Sequence, residues 1–251
     1  MEKKENKQLR FGLVGRNIGY SFSKGYFTQK FADMKLNGHT YENFDLDEIK
    51  DFVTLVKPEH NLGGLNVTIP YKEAVLPYLP TIDPEAAAIG AVNTIKFTNK
   101  GLVGYNTDVY GFKKSIFPHI KPHHTRALIL GTGGASKAVS FVFKELGISY
   151  QFVSRTATKG QLGYEQLNQK VITEHAIIVN CTPLGTYPDI AQKPPITYEY
   201  LTARHLLFDL IYNPEKTAFL QAGEEKGATI RNGYEMLELQ AEKAWEIWNL
   251  K

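Results

Sequence analysis

A chain of 251 residues with 43% hydrophobic and 22% charged residues has room for two modest domains and is neither disordered nor fibrous in composition. Its formal net charge of +3, carried on dispersed lysines, excludes the basic stripe that nucleic-acid binding needs and suits small anionic ligands instead. The lone Cys181 precludes an intrachain disulfide, the polar start has no apolar h-region, and no apolar run approaches the ~20 residues of a membrane helix, so a cytoplasmic protein is expected.

Short apolar runs alternate with amphipathic stretches in the first half. Phe11 to Gly15, Tyr41 to Leu46 and Leu62 to Ile69 read as strands, with helices at Tyr26 to Leu36 and Asp47 to Val56 between them. A helix between successive strands makes each crossover long enough for parallel pairing, which predicts a βαβαβ unit. Ala91 to Phe97 and Leu102 to Tyr105 flank the glycine-ended turn Thr98-Asn99-Lys100-Gly101, a hairpin that closes this half. After Lys121-Pro122-His123-His124 a second alternation begins. Strands are expected at Ala127 to Leu130, Tyr150 to Val153, Ile177 to Val179, Leu206 to Leu210 and Ala228 to Ile230, with a helix at Ser136 to Leu146. These strands are continuous apolar runs, as when helices cover both faces of a sheet. Glu235 to Leu250 carries Leu237, Ala241, Ala244, Trp245 and Trp248 at helical spacing.

Gly131-Thr132-Gly133-Gly134-Ala135-Ser136 follows a strand and opens a helix, the context that a dinucleotide-binding fingerprint requires. Gly131 makes the tight turn, Gly133 lets backbone approach a pyrophosphate, and the helix N-terminus offers N–H groups to that anion. Ser136 stands where the last glycine is usual. The next strand ends in Val153-Ser154-Arg155-Thr156. Sites for NAD put a carboxylate here, on the ribose 2′-hydroxyl; Arg155 instead offers a fork to a 2′-phosphate, with hydroxyls from Ser154 and Thr156 and charge from Lys159. NADP is therefore the expected cofactor. In the first half, Asn66-Val67-Thr68-Ile69-Pro70-Tyr71-Lys72 ends a strand with a polar face, a proline stop and a lysine beyond the carboxyl edge of the sheet, where open α/β sheets bind ligands. Ala91-Val92-Asn93-Thr94 and Gly104-Tyr105-Asn106-Thr107-Asp108 add an amide and a carboxylate from the hairpin ends.

Together these segments resemble the shikimate dehydrogenase family, in order along nearly the whole chain: Ile18 to Ser23, Asn66 to Lys72, Ala91 to Thr94, Asn106 to Asp108, Gly131 to Ser136, Ser154 to Thr156, Asn180 to Gly185, Asp209 to Thr217 and Asn232 to Gln240. The resemblance implies an α/β protein with an N-terminal α/β substrate domain over 1–106, a Rossmann-type NADP-binding domain over 107–234, and a C-terminal helix, 235–251, returning to the first domain. It implies Lys72 and Asp108 as the catalytic pair and Ser21, Ser23, Thr68, Asn93 and Gln240 as substrate contacts, the two serines on the substrate carboxylate. Tyr212 and Gly233 match positions near the substrate and the nicotinamide, and Gly134, Ala135 and Thr182 join the cofactor positions. The implied activity is the reversible NADPH-dependent reduction of 3-dehydroshikimate to shikimate in aromatic amino acid (chorismate) biosynthesis, by a monomer or homodimer without a metal. Where the family commonly reads His-Ser-x-Ser-Pro and then His-Asn, this chain has Tyr20-Ser21-Phe22-Ser23-Lys24 and then Phe27-Thr28. The missing proline bears on how the following helix starts, and Lys24 either tightens acid binding or faces solvent. Tyr71, where many relatives have histidine, removes one proton carrier beside Lys72.

Other residues read as structural. Cys181 is expected to be packed and inert, and His119, His123 and His124 to lie in a solvated linker without the carboxylate or cysteine cluster of a metal site. Trp245, Trp248 and Leu237 read as helix packing. Two alternatives stay open: a quinate/shikimate dehydrogenase, and a catalytically inactive nucleotide-binding regulatory homologue, against which the retention of Lys72 and Asp108 counts.

Overall fold

The computed structural model describes residues 8–19 and 21–250; Tyr20, one of the departures noted above, lies outside them. The chain divides into two compact units, Met1–Thr107 with Ala241–Lys251, and Asp108–Gln240.

In the first unit β1 (Arg10–Gly15), α1 (Phe22–Asp33), β2 (Thr40–Asp45) and β3 (Leu62–Val67) form a parallel array in the order β2-β1-β3. Asp47 to Val56, expected as a helix, is instead a 3-10 turn at Ile49–Asp51 and a single α turn, α2 (Phe52–Leu55). Phe52 is buried and Ile49, Leu55 and Val56 pack half-buried on the same core, but Pro58 follows closely and the run is too short to propagate a longer helix. Beyond β3 come α3 (Tyr71–Ala74), β4 (Thr81–Ile82), α4 (Pro84–Ile89), β5 (Thr94–Thr98) and β6 (Gly101–Tyr105). Asp83 caps α4 on the Glu85 N–H, Pro84 opens it, and Gly90 closes it in the left-handed region at φ 73°. β5 pairs antiparallel with both β3 and β6, and β4 joins β6 in parallel, completing the order β2-β1-β3-β5-β6-β4.

One face of this sheet packs Val14, Leu65, Val67, Val75 and Ile95 into a core. A second layer gathers Phe11, Phe27, Phe31, Ala244 and Trp248, so the end of the last helix belongs to this unit. Trp248 Nε1–H donates to the Ile95 carbonyl at 3.0 Å, and its indole lies against Gly64, where any Cβ would overlap it.

The second unit runs α5 (Asp108–Ile116), β7 (Arg126–Leu130), α6 (Gly134–Glu145), β8 (Ser149–Val153), α7 (Gln169–Glu174), β9 (Ile177–Asn180), β10 (Leu206–Asp209), α8 (Ala218–Glu224), β11 (Thr229–Arg231) and the first part of α9 (Tyr234–Asn249). Its five strands are all parallel, in the order β11-β10-β9-β7-β8. Leu128, Leu130, Ile178, Leu207 and Phe219 fill one core. Phe112 of α5 is fully buried, edge-on to Phe143 at 5.5 Å and Phe208 at 5.2 Å.

The histidine stretch corrects one expectation. His124 is not solvated but 4% exposed; its Nδ1 accepts the Lys121 N–H and its Nε2 meets the Arg204 carbonyl, each at 3.0 Å. His123 reaches the same carbonyl, and His119 pairs with Arg231. His123 and His124 thus meet backbone groups of Lys121 and Arg204, while His119 meets a side chain. Among the described residues no His, Cys, Asp and Glu group could hold a metal ion, and no helix is long and apolar enough to cross a membrane.

Phe112→Ala should leave a cavity costing about 3–5 kcal/mol. Urea unfolding followed by far-ultraviolet circular dichroism should begin at lower denaturant than in the wild type; an unchanged midpoint would contradict this account of the second core.

Candidate active site

In the first unit, strand direction collects the candidate residues. β1, β3 and β6 end at the same sheet edge at which β5 begins, as the pairs Val14–Val67, Asn66–Thr94 and Thr94–Tyr105 show. Ser21 and Ser23 follow β1, Thr68 and Lys72 follow β3, Asn93 precedes β5, and Thr107 follows β6. Backbone bonds lace these segments together. Thr68 N–H donates to Val14 O at 2.8 Å, Val67 N–H to Asn93 O at 2.8 Å, Asn93 N–H to Tyr105 O at 3.0 Å and Val92 N–H to Lys72 O at 2.7 Å.

Asn93 is buried at 3% exposure. Its Oδ1 accepts the Thr107 N–H at 2.7 Å, the Thr94 hydroxyl at 3.1 Å and the Thr107 hydroxyl at 3.2 Å, which fixes the orientation of its side-chain amide. Thr94 in turn accepts from Asn66 at 3.2 Å, and Tyr41, stacked on Phe27 at 4.7 Å, donates to Asn66 Oδ1 at 2.8 Å. Phe27 occupies the place of the family's histidine and serves this buried network as a ring platform.

Ser21 has a second task. Its Oγ caps α1 by accepting the Lys24 N–H at 3.4 Å, so the helix starts without the missing proline while the Ser21 hydroxyl proton stays available for an acid. Lys24 is exposed, and its field falls on Glu42, whose carboxyl is held below the usual range by its hydrogen bonds to Arg10. Tyr71 is 3% exposed; its hydroxyl donates to Leu46 O at 2.7 Å and accepts from Arg16 Nε and Nη2, both at 3.2 Å. Those bonds engage the Tyr71 hydroxyl as both donor and acceptor. Lys72 itself is half-buried.

In the second unit, the carboxyl edge of the parallel sheet collects Gly131, Ser154, Thr182, Tyr212 and Gly233. β8 and β9 flank β7 on opposite sides, which makes the end of β7 the switch point where such sheets bind ligands. Gly131 holds φ 102° there, and a Cβ on it would lie 3.2 Å from Thr182 Cγ2 and 3.3 Å from Cys181 O. Gly133 is the N-cap of α6 and makes no side-chain cap; open space surrounds the position its Cβ would take. Helix geometry leaves the N–H groups of the first turn, with Gly134 and Ala135, without intrahelical acceptors. That is a cradle for a pyrophosphate.

The loop after β8 carries Arg155, Thr156 and Lys159 exposed to solvent and contains no acidic residue. Ser154 N–H donates to Leu162 O at 2.9 Å and closes the loop at its neck, while Ser154 Oγ accepts the Thr156 N–H at 3.2 Å. Cationic and hydroxyl donors without a carboxylate fit a 2′-phosphate.

Behind Thr182 and Tyr212 lies a polar cluster built from two of the resembling segments, Asn180 to Gly185 and Asp209 to Thr217, for whose Asn180, Asp209 and Thr217 the sequence suggests no role. Asp209 Oδ1 accepts from Asn180 Nδ2 and Ile211 N–H, both at 3.0 Å, and its Oδ2 accepts from Thr217 Oγ1 at 2.6 Å. Asn180 Oδ1 accepts the Thr182 N–H at 3.0 Å and its hydroxyl at 2.7 Å. Gly233 N–H donates to Ile211 O at 3.0 Å, and a Cβ at 233 would strike the Leu210 backbone, so glycine is required. Asp108 is 1% exposed in the first turn of α5, where the helix N-terminus favours a carboxylate. One turn on, Gly111 lets α9 approach so closely that a Cβ would sit 2.5 Å from Met236 O and 3.3 Å from Gln240 Cβ. Burial, with the fields of Asp209 and Asp108, pushes the Cys181 thiol well up, as an inert cysteine requires.

Comparison with known proteins follows the same lines. The family model described as the shikimate dehydrogenase substrate binding domain matches residues 13–95. The chain is 37% identical over 250 residues to the shikimate dehydrogenase (NADP(+)) of Clostridium botulinum, covering 95% of this chain and 96% of the relative. It is 35% identical over 264 residues to that of Methanosphaera stadtmanae, covering 98% and 93%. The crystal structure of shikimate 5-dehydrogenase from Thermus thermophilus, in complex with NADP(H) and shikimate, superposes with a TM-score of 0.84 at 30% identity, covering 96% of this chain and 93% of that one.

Burial pushes the Asp209 carboxyl from 3.8 up to about 7, against the bonds from Thr217, Ile211 and Asn180, which pull it down. A folded-state value above the unfolded one means that the folded unit holds the extra proton. Its stabilising contribution is therefore complete below 3.8 and is lost as pH rises through about 7. The wild type should melt at a lower temperature at about pH 8 than at about pH 5, and Asp209→Asn should flatten that difference. An equally steep pH dependence in the variant would count against Asp209 as its source.

Proposed function

The chain belongs to the shikimate dehydrogenase family and has its NADP(+)-dependent dehydrogenase activity, and we propose that Lys72 and Asp108 handle the proton of that reaction. The reaction is the reversible reduction of 3-dehydroshikimate to shikimate, a CH–OH oxidoreduction of aromatic amino acid biosynthesis. Bound NADPH supplies the hydride that the ring carbonyl carbon receives. Lys72, as an ammonium, stabilises negative charge on the developing alkoxide. With Asp108 it hands that oxygen a proton, and the pair takes the proton back in the oxidation.

The observation that carries this reading is the lacing of the sheet edge. The Lys72 turn is bonded to the Asn93 segment through Val92 N–H at 2.7 Å, and Asn93 grips the N–H of Thr107, the residue before Asp108, at 2.7 Å. Around that frame, Ser21 and Ser23 take the substrate carboxylate, and Thr68, Asn93, Tyr212 and Gln240 take its hydroxyls. A site of directional donors and acceptors rejects analogues that lack a hydroxyl. Gly131, Gly133, Gly134 and Ala135 receive the pyrophosphate, Ser154, Arg155 and Thr156 the 2′-phosphate, with Thr182 and Gly233 completing the cofactor contacts. The lone Cys181 favours a reducing compartment, the cytoplasm, and the protein acts as a monomer or homodimer.

Arg155→Ala should weaken NADP roughly 10- to 100-fold and NAD far less, since only the 2′-phosphate uses the guanidinium; equal losses in binding titrations would refute the assignment. Lys72→Ala should cut kcat about 10²–10⁴-fold with shikimate saturating, while NADP affinity persists. Asp108→Asn should also slow turnover, and the double variant should lose less than the product of the single losses. Normal turnover in Lys72→Ala would remove it from the chemistry.

A further inference from the structure

Three separate stretches of the first unit meet at the Tyr71 hydroxyl. Arg16, just beyond β1, reaches it with Nε and Nη2, both at 3.2 Å, and the same Nη2 donates to Asp47 O at 2.5 Å. The hydroxyl itself donates to Leu46 O at 2.7 Å, and the Arg16 guanidinium carbon lies 5.6 Å from the centre of the Tyr71 ring. The loops after β1 and β2 are thereby tied to the first residue of α3. Lys72 is the next residue.

We propose that Arg16 and Tyr71 are positioning residues for Lys72: their contact pins the turn from which Lys72 projects and so sets where its ammonium sits. This rests on the reading of Lys72 as a proton-handling group. The turn is four residues long, too short to hold its own direction by helix hydrogen bonds alone. It is held by the core packing of Tyr71 and Val75, by the Val75 N–H on Tyr71 O at 2.9 Å, by the Tyr71 N–H on Thr68 O at 2.8 Å, by the Lys72 carbonyl under Val92 N–H at 2.7 Å, and by the Tyr71 hydroxyl. Removing the hydroxyl bonds leaves the core packing and the backbone bonds and releases the tie to Arg16 and Leu46, so the turn can shift by a fraction of an ångström about its packed ring.

The loop that carries Ser21 and Ser23 also starts at Arg16, yet it has its own anchors. Asn17 N–H and Ile18 N–H donate to the Asp45 carboxylate at 2.8 and 3.3 Å, and Asn43 Nδ2 donates to Ile18 O at 2.9 Å. Loosening the knot therefore acts on the Lys72 side, in turnover, and spares the serines that the substrate acid uses.

Tyr71→Phe removes only the hydroxyl, and Arg16→Met keeps the stem while removing the donors. Each should lower kcat about 3- to 10-fold, the scale of one or two lost hydrogen bonds. The KM values for shikimate and NADP should stay within about two-fold of the wild type. Repeating both changes in the Lys72→Ala background, with enzyme concentration raised to keep turnover measurable, separates positioning from general damage. No further loss is expected there, because the effect passes through Lys72. A loss of equal size in both backgrounds, an unchanged kcat, or a change confined to KM would overturn the positioning role while leaving Lys72 in place. Normal turnover in Lys72→Ala alone would overturn the reading of Lys72 and this proposal with it.

Discussion

One buried amide oxygen organises the substrate-side edge. Asn93 Oδ1 takes three donors, from the Thr107 backbone and the hydroxyls of Thr94 and Thr107, and in doing so closes the open end of the β5–β6 hairpin. Without it the Thr107 N–H would be left buried and unpaired, a loss of about 1–3 kcal/mol. The residue after Thr107 is Asp108, so the same bond fixes where α5 begins and where its first carboxylate starts. A hairpin that frayed here would disturb both amide and acid at once.

The second unit solves the equivalent problem with a carboxyl group. Asp209 gathers Asn180, Ile211 and Thr217 at the ends of β9 and β10, and through Asn180 it orders Thr182. In both units a side chain at a strand end bonds the backbone of the next functional segment. The sheets place the residues to within a strand spacing, and these bonds set the remaining detail.

Much of this was legible in the residue pattern. β7, β9 and β10 of the second sheet are buried runs rich in Ile, Leu and Val, and the glycine turn after Leu130 stood in the expected strand-to-helix context. The crossover at Asp47 to Val56 misled because its amphipathic residues Ile49, Phe52, Leu55 and Val56 do reach the core, but from a 3-10 turn and a single α turn rather than a continuous helix. The two-residue β4 and the short helices around it carry too few residues for any period to show. The knot of Arg16, Leu46 and Tyr71 left no local trace, since it joins residues far apart in sequence through side chains and a carbonyl; at Asp209 both segments stand among those of the resemblance, but the bond between them from Asn180 shows in neither. His124 belongs with them: nothing in a run of basic residues and proline announces that one ring will be buried on the Arg204 carbonyl.

The loop after β8 is fastened where it leaves and rejoins the strand region, by Ser154 N–H on Leu162 O and Leu162 N–H on Phe152 O, both at 2.9 Å. Arg155, Thr156 and Lys159, proposed above to face the 2′-phosphate side, hang outside that fastening as exposed residues. Residues 155 to 161 are thus a cassette: evolution can exchange their charges, or lengthen them, without shifting the register of β8 against β7. On the proposed assignment, a change of coenzyme preference would need substitutions only in this outer stretch and would leave the strand pairing beneath it intact.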